Sequence, residues 1–568
     1  MVKYPSSGFE LSSQVVGALP VVNHFLARIG ADRALAAFVA AEDRRLRVAP
    51  AAALGVVVRN LCVDHEPVYA LGEWATPHAP GLLGLAPGEA ALLNDDRVGR
   101  SLDRLFDADR ASLLTTVVLR AVRAFGIDCS EVHNDSTTVT FTGDYRGADG
   151  RPRGGKATAA ITFGHNKDHR PDLRQLVWIL TVSADGAVPV AHRVASGNTN
   201  DDTTHVGSYD ELCALLGRKD FLYVADAKLC SRAAMDHIDA AGGRFITVLP
   251  RTRREDSWFR DWLTRNQATW QETLTVAARR ADAPPDVLST FESPLGSADG
   301  YRIIWVHSTA KAARDATTRA ARLERAERDL ASLAQRLASP KSRIKTRVAA
   351  EIAARAILAD TNTVEFFDIH LGEVADTRYT ANHRGSAGPA TTFRQSRRVR
   401  PALSYKLRPH AVRRAAASDG CWPLITNDRQ LAAPAILAAY RYQPHLERRH
   451  HCLKGPQAAA PVHLHSPARI EALLCCHFLA LLVNALIERQ IRRAMTASGR
   501  PHLPLYPEER DCPAPSAERV LELFAPLRRH HLHYNGRLVQ VFEPQLDARQ
   551  RSLLRLLNIP IAAYRDIP

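Results

Sequence analysis

The chain is 568 residues long, 46% hydrophobic and 24% charged. That length is too great for one compact core and predicts two to four domains, and the composition is that of an ordinary soluble globular protein. Lys and Arg number 75 against 60 Asp and Glu, a formal charge of +15, which favours a polyanionic partner, nucleic acid foremost.

The opening M-V-K-Y-P-S-S-G-F-E carries no apolar run of the signal-peptide kind. The longest apolar run, 472–487, contains His477 and Asn484. It falls short of the roughly 20 residues a membrane span needs, so a buried core helix is expected and no membrane. The nine cysteines form no C-x-x-C pair, which predicts a reducing, cytoplasmic setting without structural zinc. His450-His451-Cys452 and the tract His530, His531, His533 lack a second ligand pair at a recognisable spacing, so neither is read as a metal site.

Residues 1–125 read as a helical domain, with apolar positions three and four apart in V-V-N-H-F-L-A-R-I-G and A-L-A-A-F-V-A-A. Asn94 and Asp95 are plausible N-caps for a helix in 93–106 whose Arg97, Arg100 and Arg104 either lie against DNA phosphates, as in a domain that binds DNA ends, or form a solvated face. Residues 126–250 change character. E-V-H-N-D-S-T-T-V-T-F-T-G, A-T-A-A-I-T-F-G and Q-L-V-W-I-L-T-V-S predict three strands of a meander. A helix over 209–216 follows, then the short strand F-L-Y-V-A-D, a helix at S-R-A-A-M-D-H-I-D-A-A and the strand R-F-I-T-V-L-P. The order β-β-β-α-β-α-β predicts a mixed sheet with helices against it.

Residues 251–418 read as an α+β insertion. Leu323, Leu330, Leu333 and Leu337 mark one helix, S-P-K breaks it, and Ile344, Val348 and Ile352 mark a second. T-V-E-F-F-D-I-H is strand-like. Residues 394–414 hold no acid but eight basic residues, Arg397, Arg398 and Arg400 among them, with Tyr405 interleaved, a pattern suited to tracking phosphates. D-G-C-W-P-L-I-T-N-D opens a further core segment, 419–498, as a strand, and A-P-A-I-L-A-A-Y begins the helix that carries Glu447. Residues 499–568 read as a Pro-rich link and a helical tail.

Three acids stand where chemistry would need them. Asp135 lies in the first strand before Ser136, Thr137 and Thr138, Asp226 ends an apolar strand, and Glu447 sits in a basic helix. Strand ends line clefts. Hard carboxylate oxygens suit Mg²⁺, with Mn²⁺ as a substitute, and two such ions about 3.5–4 Å apart can drive an in-line phosphoryl displacement.

These residues carry a resemblance. H-N-D-S-T-T, G-H-N-K-D-H-R-P-D-L-R-Q, F-L-Y-V-A-D-A-K-L, R-F-I-T-V-L-P-R and D-G-C-W-P-L-I-T-N-D, in that order, resemble bacterial DDE transposases of the insertion-sequence-four type, in the branch with a long insertion before the glutamate. The resemblance implies an RNase-H-like mixed sheet with flanking helices, interrupted by a large α+β insertion and bounded by helical N- and C-terminal regions. It implies metal-dependent cleavage and strand transfer at the ends of an insertion sequence, by a dimer holding terminal repeats and target DNA, with Asp135, Asp226 and Glu447 as catalytic metal ligands. The signature is a tyrosine, two residues, an arginine, three residues, the glutamate, six residues and a lysine. Tyr440, Glu447 and Lys454 match it; Gln443 stands at the arginine. Tyr440, Arg441, Gln443, Arg448 and Lys454 are therefore the expected DNA contacts on this helix, with Arg448 able to compensate for Gln443. In the segment 164–175, Lys167, His169 and Arg170 could face DNA, but the favoured reading is a loop tied by its own Asp168–Arg170 and Asp172–Arg174 charges. The competing readings are a non-catalytic DNA-binding relic and a metal-dependent nuclease without strand transfer.

Overall fold

The computed structural model describes every residue except 1–7, 42–45, 279, 281–282, 456, 458–463, 507, 509 and 568; the reading of the first residues as lacking a signal sequence lies largely outside the described part. The chain forms two compact units, Met1–Thr247 with Ala438–Pro568, and Val248–Leu437.

The first unit opens on a strand, β1 (Phe9–Val15), and six helices, α1 (Leu19–Ile29), α2 (Ala31–Phe38), α3 (Pro50–Val63), α4 (Leu71–Ala75), α5 (Asp95–Asp107) and α6 (Arg110–Phe125). Asn94 caps α5, its side chain accepting the Arg97 N–H. Then come β2 (Glu131–Phe141), β3 (Arg174–Ser183), β4 (Pro189–Ser196), α7 (His205–Leu216), β5 (Leu222–Ala225), α8 (Arg232–Ala240) and β6 (Arg244–Val248). The strands line up as β4-β3-β2-β5-β6. β2–β3 and β3–β4 are antiparallel; β2–β5 and β5–β6 are parallel. This mixed sheet with flanking helices is compatible with an RNase-H-like core.

The meander is not the one expected. Residues 157–164 form no strand and share a single bridge with β3, Thr162–Gln175. Their donors go elsewhere: Ala159 N–H to Glu471 Oε1 (2.7 Å), Ala160 N–H to Ser196 Oγ (3.0 Å) and Ile161 N–H to the Ala148 carbonyl (2.9 Å). A backbone whose N–H groups are satisfied by side chains and loops has none left for a ladder. The third strand is β4 instead.

The second unit holds α9 (Arg254–Trp262), β7 (Gln271–Val276), β8 (Asp286–Glu292), β9 (Arg302–Ser308), α10 (Thr309–Ala338), α11 (Arg347–Asp360), β10 (Phe367–Ala381), β11 (Phe393–Leu407), α12 (Pro409–Ala417), β12 (Cys421–Thr426) and most of α13 (Ala433–Tyr440). β12-β9-β8-β7 are antiparallel neighbours, and the Phe259 ring stacks on Trp305 at 3.9 Å. In α10, Leu330, Leu333 and Leu337 are buried as their spacing predicts. In α11 the expected Val348 and Ile352 are 66% and 65% exposed. Ala350, Ala354 and Leu358 face α10 instead, because small residues at four-residue spacing let two helices approach closely.

The first unit resumes with α14 (Gln443–Lys454), α15 (Pro467–Ala497), β13 (Leu503–Pro504), β14 (Asp511–Cys512), α16 (Ala517–Glu522), β15 (Arg528–Tyr534), β16 (Arg537–Phe542) and α17 (Ala548–Leu556). The apolar run is α15, long and apolar enough to cross a membrane by length and composition, with 94% of its apolar window buried inside the protein; it packs on α3, α5 and β4. The termini are not purely helical as expected. β1, β15 and β16 form a three-stranded antiparallel sheet. Asn535 and Gly536, with φ of 47° and 76°, make the turn between β15 and β16. Asn-Gly is the strongest short-range hairpin signal, because both positions need positive φ.

Candidate active site

The register of two parallel strands builds the centre of the site. Asn134 of β2 pairs with Ala225 of β5, so Asp135 and Asp226 are the next residues along two neighbouring strands. Adjacent strands lie about 4.8 Å apart, which sets the two acids side by side where β5 ends. Asp226 then caps a 3-10 turn, its Oδ1 accepting the Lys228 N–H at 3.0 Å. Its carbonyl is held by Thr247 Oγ1 at 2.5 Å. Burial, aided by the neighbouring Asp226 charge, pushes the Asp135 carboxyl up to about 6 against the opposing pull of Lys167.

The third acid arrives on α14, which packs against β2 and α15. Leu446, Arg449 and Leu453 are buried, and Glu447 is exposed. The stripe Glu447, His450, Lys454 follows the helical repeat, and His450 Nδ1 lies 3.8 Å from Asp135 Oδ2. Burial, with Lys167 and Lys454 nearby, pushes His450 down to about 3, so the imidazole is neutral.

Tyr440 does not share a helix with Glu447, contrary to the sequence reading. α13 ends at Tyr440, 441–442 form a turn, and α14 begins at Gln443. The cause is Pro444, in the first turn of α14. A proline lacks the N–H and its ring clashes with the carbonyl four residues back, here that of Tyr440. Tyr440 still belongs to the site: burial, then the charges of Asp226, Glu447 and Asp135, raise its hydroxyl to about 12.

Of the other expected contacts on this segment, Arg441 and Gln443 are half-buried, each with one side-chain nitrogen enclosed and without a hydrogen-bond partner among the described residues, and Arg448 is exposed. Lys454 is already engaged, its Nζ donating to Asp168 Oδ1 at 2.6 Å.

The segment 164–175 is not the loop tied only by its own charges that the sequence favours. Arg170 pairs with Asp172 at 2.7 Å, but Lys167 and Asp168 point into the site. Lys167 Nζ donates to the Ser136 carbonyl (2.6 Å) and Oγ (2.7 Å), and lies 3.4 Å from Asp135 Oδ1 and 3.2 Å from Asp201 Oδ2. Burial works against this ammonium, yet the charges of Asp135, Asp201 and Asp226 outweigh it and hold its pKa above the ordinary lysine value. The signal was present in N-K-D-H-R-P-D: Asn166 Oδ1 accepts the N–H of Asp168 (2.7 Å) and Arg170 (3.2 Å), an Asx turn that aims the pair inward.

The donor set is all hard carboxylate oxygen, and its mutual repulsion is the kind a bound cation relieves. Among the described residues, no three His, Cys, Asp or Glu side chains converge as closely as metal ligands do.

In the second unit, β10 and β11 form a two-stranded ribbon of 15 residues a side. Near its base Ile369, Leu371, Leu403, Tyr405 and Leu407 pack on the α10–α11 core. Further out, alternation puts Arg378, Arg394 and Arg398 on one face and Tyr379, Phe393 and Arg397 on the other. Arg397 and Arg398 are exposed. Arg400 is tied to Asp376 (2.8 Å) and to the Ala338 carbonyl.

No family model matches the chain, and no curated protein matches it. A solved structure that it resembles is the cryo-EM structure of a piggyBac transposase synaptic complex with hairpin DNA, at 10% identity and a TM-score of 0.24. That match covers 50% of this chain and 61% of the other, and a likeness so slight carries no argument about function.

Proposed function

We propose that the chain is a metal-dependent DNA phosphoryl-transfer enzyme, a DDE transposase that cuts and rejoins DNA at the ends of its insertion sequence. The observation that carries this reading is the register that sets Asp135 beside Asp226, with the Glu447 helix packed over the same strand. The basic charge of the chain and the exposed arginines of the ribbon support a DNA substrate. Asp135, Asp226 and Glu447 would hold Mg²⁺, or Mn²⁺ in its place. Bound there, the cation supplies charge stabilisation and an activated oxygen nucleophile.

The protein's own residues do the rest. The rigid strand pair fixes two carboxylates. α14 brings the third from the open side. Lys167 holds Asp135 in place. Lys454, Arg448 and Arg441 meet phosphates beside the cut, and Arg397 and Arg398 of the second unit also meet DNA. A dimer holding two ends is part of this reading, as is action on chromosomal DNA in the bacterial cytoplasm.

The test is a cleavage assay on DNA carrying the ends that flank the gene, with Mg²⁺ or Mn²⁺. Wild type should cut at the ends and join them to target DNA, whereas Asp226→Asn and Glu447→Gln should bind DNA but not cut. Cutting by either variant removes that acid from the ligand set. Cutting without joining makes the protein a nuclease. Binding without cutting by the wild type makes it a DNA-binding relic.

A further inference from the structure

Lys454 is the signature lysine expected to grip a phosphate, yet it already holds an anion. Its Nζ lies 2.6 Å from Asp168 Oδ1. We infer that Asp168 is a built-in stand-in for a DNA phosphate, which holds Lys454 until DNA enters and must then be displaced. This rests on the proposed DNA substrate and adds a regulation of the same site.

The two partners are held unequally. Asp168 is fixed on three sides. Its Oδ2 accepts from Thr138 Oγ1 (3.3 Å), its own N–H is bound by Asn166 Oδ1 (2.7 Å), and the next residue, His169, stands at φ 57°. Thr138 itself is 2% exposed in β2. Lys454, by contrast, is the last residue of α14, with a flexible four-carbon stem. Among the described residues Asp168 is the one side-chain partner of its ammonium, which has three protons to give. The lysine is the member that can move.

The pair is also within reach of a ligand. The two side chains are 27% and 37% exposed, so a polyanion can approach without unfolding anything. Lys167, one residue away, is different: its ammonium is spent on Ser136, Asp135 and Asp201. The adjacent residues thus divide the work. Lys167 steadies the acid strand, and Asp168 occupies the lysine that substrate needs. A carboxylate and a phosphate offer the same charged oxygen acceptors to an ammonium, so exchange of one for the other needs only a rotation of the Lys454 side chain.

Counterions give the exchange a signature. When Lys454 leaves Asp168 for a phosphate, the DNA releases a cation but the freed carboxylate draws one back. Without the carboxylate only the release remains. The experiment measures binding of the full chain to duplex carrying the flanking ends, across a salt series without divalent metal. The proteins are wild type, Asp168→Asn, Asp168→Glu, Lys454→Ala and the Asp168→Asn/Lys454→Ala double variant.

Asp168→Asn should bind more tightly than wild type and steepen the plot of log K against log[salt] by about 0.9, one counterion. Asp168→Glu, which keeps the charge, should behave as wild type. In the Lys454→Ala background Asp168→Asn should leave the slope unchanged. Thermal unfolding of each protein checks the fold, and Asp168→Ala replaces Asp168→Asn if that variant does not fold.

Weaker binding by Asp168→Asn, or an unchanged slope, makes Asp168 a structural brace and overturns the inference. An equal gain with and without Lys454 overturns it too, as a general field effect. If wild type binds and cuts while Asp168→Asn differs in nothing, only this inference falls. If wild type binds no DNA, the proposed function falls and takes the inference with it.

Discussion

Arg449 and Glu488 form an ion pair inside the protein, Nη1 to Oε2 at 2.9 Å, with the two side chains 2% and 3% exposed. The remaining guanidinium donors reach the carbonyls of Ala187 (2.9 Å) and Gly186 (3.1 Å), and Glu488 Oε1 accepts the Ala517 N–H at 3.1 Å. One residue therefore ties α14 to the β3–β4 turn and to α15. It lies two positions from Glu447, so the aim of the third acid depends on it. Arg449→Ala should cost about 3 kcal/mol, because it leaves two carbonyls without their guanidinium donor and the buried Glu488 carboxylate with only Arg492, at 3.3 Å, and the Ala517 N–H among the described residues. Urea denaturation of the purified variant measures this, and an unchanged midpoint would show that the pair does not anchor α14.

His192 and His477 predict the response to acid. The His192 ring lies between Trp178 (4.5 Å) and Phe478 (4.6 Å), and His477 is 3% exposed in α15. Burial first, then Arg110 for His192 and His65 for His477, pushes both down to about 3. A histidine held neutral in the fold and free to protonate when unfolded stabilises fully above its unfolded value of about 6.5. That stability is lost progressively as pH falls from there towards 3. Denaturation midpoints should hold between pH 8 and 7 and decline below about 6.5. His192→Phe should flatten the decline; an equally steep fall in that variant would assign the effect to other groups.

The outer ribbon should contribute to DNA binding without contributing to stability. Arg394 and Arg398 are exposed and share a face. Replacing both with alanine should flatten the salt dependence of duplex binding by about 1.8, at roughly 0.9 per phosphate contact. Exposed substitutions of this kind move stability by no more than about 0.5 kcal/mol, so melting should not change. A lost contact with a lowered melting temperature would mean that the arginines hold the ribbon together instead.

Much of the architecture was written in local pattern. β2 and β5 follow from β-branched and apolar runs, and α10 and α15 from apolar repeats. Two further features are equally local: the Asn535-Gly536 hairpin and the break that Pro444 forces after Tyr440. Each is a backbone rule acting within five residues, which is why a sequence can state it.

What the sequence by itself determined is the set of acids, the basic balance and the order of most elements, since periodicity and turn chemistry act between neighbours in the chain. Only the tertiary structure decided which groups meet. The strand at 157–164 failed because Glu471, 312 residues from Ala159, takes one of its donors. Asp135 stands beside Asp226 because of a strand register, and Lys454 is held by Asp168, 286 residues away. A side chain's rotamer and partner depend on what packing brings within about 3 Å of it, and no local pattern carries that distance.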